Sequence, residues 1–195
     1  MILGYLILAH LLADFVFQPT KLVLWKIRSK YGVLVHVLVH FVVNLIVLSP
    51  FIVNGHYWPI GAAFVICFLH FWIDQAKISY DLEHDKKIMA FLMDQLIHLL
   101  VMMVVYFFVQ NLTLSLPLSS FYQFYSDIRI VIFFSFLILC SSAVEIYRFQ
   151  KVREKKHNAT LKMHPRNIAL RIFVFSLVYI LFMVLSYFAR FPHVQ

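Results

Sequence analysis

Acidic residues are scarce in this chain: Asp and Glu supply nine of 195 positions, and the four charged types together only 13%. A water-soluble domain carries about twice that charged fraction, so a soluble globular protein is excluded. Cysteine is nearly missing as well. Cys67 and Cys140 both fall inside apolar runs, which argues against a disulfide framework or a thiolate site and reads them as packing residues. What is plentiful is apolar surface: 63% hydrophobic residues, 21 Phe and a mean hydropathy of +0.85. The bilayer is the natural solvent for such a chain, and few residues remain for a soluble domain.

Six apolar stretches approach the roughly 20 residues that cross a bilayer: 1–18, 31–53, 59–76, 88–110, 128–147 and 168–188. The expected fold is all-α, a polytopic transmembrane helical bundle. The first stretch has no basic n-region and no small-residue cleavage site, and it carries His10 and Asp14. It reads as a mature helix rather than a signal peptide.

Basic residues set the orientation. Fifteen of the seventeen Lys and Arg follow the first, third and fifth spans; Arg129 and Arg190 are the exceptions. By the positive-inside rule that face is cytoplasmic and both termini lie outside, in a multi-pass protein. The net charge of +8 therefore needs no nucleic acid. Membrane lipids are the expected partners, with the basic 148–171 stretch suited to anionic headgroups or an acidic partner, and a homo-oligomer remains open. Asn111-Leu-Thr and Asn158-Ala-Thr match the glycosylation pattern, a short and weak signal.

Each of the first four spans carries one i, i+4 pair of metal-ligand residue types: His10/Asp14, His36/His40, His70/Asp74 and Asp94/His98. On a helix that spacing stacks two side chains on one face. Ionisable groups inside a membrane span are expensive, so they mark a functional site by default. The last two spans carry no such pair. The chain thus divides 4 + 2: a site-bearing four-helix unit (1–110), a connecting segment (111–127) at the outer interface, and two further helices (128–195) joined by a basic cytoplasmic loop (148–167).

Topology lets the depth of the pairs be compared. With alternating helix directions, Asp14, His36, Asp74 and Asp94 form a layer nearer the cytoplasm, and His10, His40, His70 and His98 a deeper one. At about 1.5 Å per residue the layers lie roughly 6 Å apart, close enough to share one metal or two metals about 3.5–4 Å apart. A lone histidine in a membrane helix is often an interhelical hydrogen-bonding group. Four pairs at one depth favour a functional polar centre instead. Five imidazoles and three carboxylates suit a divalent metal, zinc first, with iron or manganese next, ahead of calcium or magnesium.

Gln18, Asn44, Gln75, Lys77 and Gln95 continue or flank the stripes as candidates to orient the ligands, with Lys77 also placed to hold an anionic substrate. His56, His84, His157, His164 and His193 fall in expected loops or the tail. The two H-x-x-x-D helices, followed 26 and 24 residues on by the next pair, suggest a duplicated helical hairpin.

The series His10-Leu-Leu-Ala-Asp14-Phe-Val-Phe-Gln18, His70-Phe-Trp-Ile-Asp74-Gln-Ala-Lys77 and Asp94-Gln95-Leu-Ile-His98 resembles an uncharacterised family of bacterial and phage membrane proteins, a domain of unknown function. That resemblance covers about 100 residues and implies a bacterial inner membrane. His10 and Asp14 are also distantly similar to the H-x-L-A-D helix of membrane-bound metal-dependent hydrolases, but this chain lacks their H-R-G-x-T-H-S and D-x-D-H motifs.

The leading expectation is a metal-dependent hydrolase of a lipid-like, phosphoester or acyl substrate taken from the cytoplasmic leaflet, with Asp74 or Asp94 as general base. A proton or metal-ion transporter would need polar residues continuing to the outer face. Haem ligation by two deep histidines and a non-enzymatic membrane subunit with a structural polar centre complete the alternatives.

Overall fold

The structure, a computed structural model, describes residues 1–111, 116–117, 119–155 and 164–190, with side chains through 185. Both glycosylation patterns extend beyond those residues, as do His157 and His193. Every regular element among the described residues is helical.

Five helices are long and apolar enough to cross a membrane, and a sixth crossing results if the bent first pair counts as one span. The helix α1, Ile2–Val16, covers fifteen residues and ends in a π-helical turn, Leu12–Val16. At 1.5 Å per residue that is about 22 Å, short of a hydrocarbon core of about 30 Å. Gln18-Pro19 stops it, since the residue before proline is driven out of the helical region. The chain then turns by 89° into α2, Thr20–Arg28. This helix occupies a stretch that hydropathy alone marks as a connection between spans.

A single span expected over 31–53 is two elements, α3 (Lys30–Val47) and α4 (Ser49–Val53). Pro50 has no N–H to give the Ile46 carbonyl, and Ser49 Oγ donates to that carbonyl at 2.8 Å instead. Gly55, at φ +84°, makes the reversal into the next helix, a conformation glycine adopts without a Cβ penalty.

The third span outruns its expected end at 76: α5 runs Trp58–Glu83. Lys87 caps it by donating to the Asp81 carbonyl and, at 2.6 Å, to the His84 carbonyl, a cation at a helix C-terminus. The helix α6, Lys87–Val109, follows. Then α7, Ser120–Tyr125, folds back over the outer end. Tyr125 stacks on Tyr5 at 4.5 Å and donates to the Val47 carbonyl at 2.8 Å.

The helix α8, Ile128–Lys155, is continuous except for a π-helical turn at Leu139–Ala143. The basic loop expected from 148 therefore begins later, because Arg148, Lys151, Arg153 and Lys155 are still helical. The last helix, α9, is Pro165–Arg190, and none of its spanning window is buried. It docks on α8 through Glu145, a buried carboxylate that accepts from Arg171 at 2.6 Å and lies 3.4 Å from Arg148 and 3.3 Å from His164.

The helices α1, α3, α5 and α6 surround the polar centre. On the side of the α1 N-terminus Ile2, Tyr5, Leu6, Leu48, Phe51, Ala62, Ile66, Met102 and Val105 pack into an apolar core. Close van der Waals packing of these side chains holds the four helices in register, and the four His/Asp stripes face one another next to it.

Candidate metal centre

Four helices each contribute one stripe: His10 and Asp14 from α1, His36 and His40 from α3, His70 and Asp74 from α5, Asp94 and His98 from α6. None of the eight residues is more than 9% exposed. Asp14 is the hub. Its Oδ1 lies 2.9 Å from His40 Nε2, 3.0 Å from His36 Nε2 and 3.9 Å from His70 Nε2, and its Oδ2 lies 3.4 Å from His10 Nε2. Asp74 Oδ2 sits 3.4 Å from His70 Nε2 and 3.6 Å from His36 Nε2. Asp94 Oδ1 and His98 Nε2 are 3.4 Å apart.

The two layers expected 6 Å apart interleave. Helical side chains lean toward the N-terminus of their own helix. Asp14 and Asp74 lean toward the N-termini of α1 and α5, while His40 and His98, on the oppositely directed α3 and α6, lean the other way. That is why Asp14 and His40, from different layers, meet at 2.9 Å. The π-helical turn that holds Asp14 was not legible in the sequence; such turns recur at functional sites.

Three overlapping groups could hold a metal ion, each with its donor atoms within 4.8 Å of one another: Asp14, His36, His40 and His70; His10, His70 and His98; and Asp74, Asp94 and His98. Two features favour a cation among them. The Nε2 atoms of His36 and His70 face each other at 3.2 Å, and two imidazole lone pairs can approach so closely only with a proton or a cation to share. A tetrahedral ion with bonds of about 2.0–2.1 Å sets its donors about 3.3 Å apart. Further, the buried pair Asp94 Oδ1 and His98 Nε2, 3.4 Å apart, makes no well-directed hydrogen bond, a spacing that suits a shared bound ion or water.

The carboxylates are not equivalent. Lys26 Nζ stands 2.6 Å from Asp74 Oδ2, and Lys77 Nζ stands 3.0 Å from Asp94 Oδ2. Asp14 has histidines and Gln95 around it and, among the described residues, no ammonium group at salt-bridge distance. The group built on Asp14 is therefore the one whose negative charge is left for a metal.

Gln95 ties the carboxylates together, donating from Nε2 to Asp14 at 3.2 Å and Asp94 at 3.1 Å while its Oε1 faces His10 at 3.4 Å. Gln18 Nε2 lies 3.0 Å from the His36 ring. Two other candidates stand apart. Asn44 donates to the His40 backbone carbonyl at 2.9 Å rather than to a ligand side chain. Gln75 follows Asp74 by one position, about 100° around the helix, and its buried Nε2 has no partner among the described residues.

Lys26 is the residue that sequence reasoning missed. It was counted only among the charges that set orientation. Pro19 ahead of a part-apolar stretch was a helix-start signal, but nothing local tied Lys26 to Asp74. On the side facing α2 the cluster opens into a chamber of about 100 Å³. Asp14, Asp74, Asp81 and Asp94 line it together with Lys26, Lys77 and Arg153.

No curated protein and no solved structure matches this chain. One family profile matches residues 2–126, a stretch that contains every residue of the cluster and stops before α8. The chain belongs to that family, described as a protein of unknown function (DUF3307).

Proposed function

We propose that this protein is a membrane-embedded, metal-dependent hydrolase that works on an amphipathic ester from the cytoplasmic leaflet of a bacterial inner membrane. The observation that carries the reading is the convergence of Asp14, His36, His40 and His70 on one point, at donor spacings of 2.9 to 3.9 Å. That donor set suits zinc, with iron or manganese as alternatives. A divalent cation held there supplies Lewis-acid polarisation and makes water a nucleophile near neutral pH.

The chain's own residues supply the rest. Asp94 offers Oδ1, which faces His98 Nε2 at 3.4 Å, as general base, while Lys77 and Gln95 hold Oδ2 in place at 3.0 and 3.1 Å. Water oxygen bonds to the phosphorus or acyl carbon as the bond to the ester oxygen breaks. The water's proton passes to Asp94 and from there to the leaving oxygen. Asp74, held by Lys26, completes the acidic wall on the α5 side.

The largely apolar core above the histidines, where Asn44, Tyr5 and Tyr106 are among the few polar side chains of the described residues, supports a one-sided site over a transmembrane pathway. The concentration of basic residues below supports a cytoplasmic opening and external termini. Elemental analysis of the purified protein beside Asp14→Ala and His70→Ala tests the reading. We expect close to stoichiometric transition metal in the wild type, lost in both variants together with ester hydrolysis. A folded wild type that takes up no metal from a metal-supplemented buffer would falsify it.

A further inference from the structure

The metal-site reading leaves open how a substrate from the bilayer reaches a buried centre. A groove of about 550 Å³ runs along the outer faces of α5 and α6, within the range of ligand pockets. Its walls are Trp72, Ala76 and Tyr80 on one helix and Met89, Met93 and Ile97 on the other. From Trp72 to Tyr80 it extends about 12 Å along the axis, at 1.5 Å per residue. Trp72, Met89 and Met93 are well exposed, so this groove faces acyl chains once the helices are in a membrane.

Its inner end is not apolar. Lys77 and Asp94 line this groove and also the polar chamber beneath the metal cluster. The groove and the chamber thus share one gate. A second lipid-facing groove, between α3 and α5, has about 420 Å³ but only apolar walls and Cys67, and it reaches no charged side chain. A further groove of about 320 Å³ between α6 and α8 meets the chamber at Gln95 but brings no cation to it, so of the three only the α5/α6 groove shares charged side chains with the chamber.

Charge decides which headgroup fits. In the chamber four carboxylates face Lys26, Lys77 and Arg153, a balance that one bound divalent cation turns positive. Lys77 Nζ, 3.0 Å from Asp94 and 5.7 Å from the Phe91 ring centroid, is the cation at the junction. A lysine there offers a compact positive charge with three donors, well matched to phosphate oxygens. We infer that the α5/α6 groove seats the hydrocarbon chain of a phosphate-headed membrane amphiphile, placing its anionic head at Lys77 beside the metal cluster.

The test is photolabelling of the full chain in phosphatidylcholine nanodiscs. The probe is an alkyl phosphate with a diazirine in its chain, run beside the same chain bearing phosphocholine. The phosphate probe should label the Trp72–Tyr80 and Met89–Ile97 stretches at least fivefold more than the phosphocholine probe. Met93→Trp, which fills the groove without touching the cluster, should cut that labelling at least fivefold at unchanged metal content. Lys77→Gln should erase the preference between heads, and Lys77→Arg should keep it.

Equal labelling by the two heads, labelling elsewhere, indifference to Met93→Trp, or chase by inorganic phosphate overturns the inference. So does a change of oligomeric state in Met93→Trp with labelling unchanged, which assigns the groove to a second copy of this chain. The inference rests on the hydrolase reading, and metal analysis of the same samples separates the two. Selective labelling of a metal-free protein leaves the groove standing and removes the hydrolase, whereas a metal-loaded protein without selective labelling does the reverse.

Discussion

Lys26 and Asp74 form an ion pair at 2.6 Å between α2 and α5, with their side chains only 11% and 4% exposed. Across 48 positions of sequence, this contact fixes the small bent helix under the metal cluster. Replacing Lys26 with Met leaves a buried carboxylate without its partner, a loss of about 3–5 kcal/mol by analogy with other buried pairs. The unfolding midpoint in detergent should fall accordingly. Adding Asp74→Asn to Lys26→Met should return part of that loss, and the double-mutant cycle measures the coupling.

The approach of α2 to α3 depends on Gly32. A Cβ built there lies 2.5 Å from the Trp25 carbonyl carbon, so Gly32→Ala must push the helices apart. We expect about 1–3 kcal/mol of destabilisation, the usual range for overpacking, together with loosened hydrogen-exchange protection over Thr20–Arg28. Gly61→Ala meets nothing within 4 Å and should be neutral to slightly stabilising, by up to about 1 kcal/mol, because alanine favours helix.

Gln95 touches Asp14, Asp94 and His10 without belonging to any of the three donor groups. Gln95→Leu should weaken metal binding by about 10- to 100-fold, the effect of removing a group that orients ligands. Competition with a chelator of known affinity reads this out. Gln75→Leu, one position from Asp74 but turned away, should leave the affinity unchanged.

Glu145 is the anchor of α9. It is 2% exposed and accepts from Arg171 at 2.6 Å. Arg171→Met removes the nearest of three basic partners and should lower the thermal midpoint, by less than the ~3–5 kcal/mol of a fully stripped buried pair because Arg148 stays 3.4 Å away. Metal content should stay at the wild-type level, because α9 packs chiefly on α8 and lies outside the cluster.

At the outer end, Tyr125→Phe removes the hydrogen bond to the Val47 carbonyl while keeping the stack on Tyr5. A loss of about 0.5–1.5 kcal/mol is expected, the net worth of one such bond, with unchanged metal binding.

The eight His and Asp residues that cluster could be picked out in the sequence because membrane spans make ionisable side chains conspicuous and because i, i+4 spacing places each pair on one helix face. The same hydropathy contrast marked the helical fold and six apolar segments. Element ends were less legible. The span expected over 31–53 breaks at Pro50, and those expected to end at 76 and 147 run on through polar residues to Glu83 and Lys155. Composition marks where hydrocarbon ends, while helix ends answer to capping and to neighbours such as Lys87.

Sequence by itself determined which side chains are too polar for lipid, which helix each occupies, and that they share one depth. Only the tertiary structure decided how they meet. Opposed helix directions interleave two layers into one centre, a π-helical turn sets Asp14 at its hub, and Lys26 arrives from a helix turned 89° out of line. Periodicity is local and is written in the chain. The pairing of a lysine with a carboxylate 48 positions away depends on how whole helices pack.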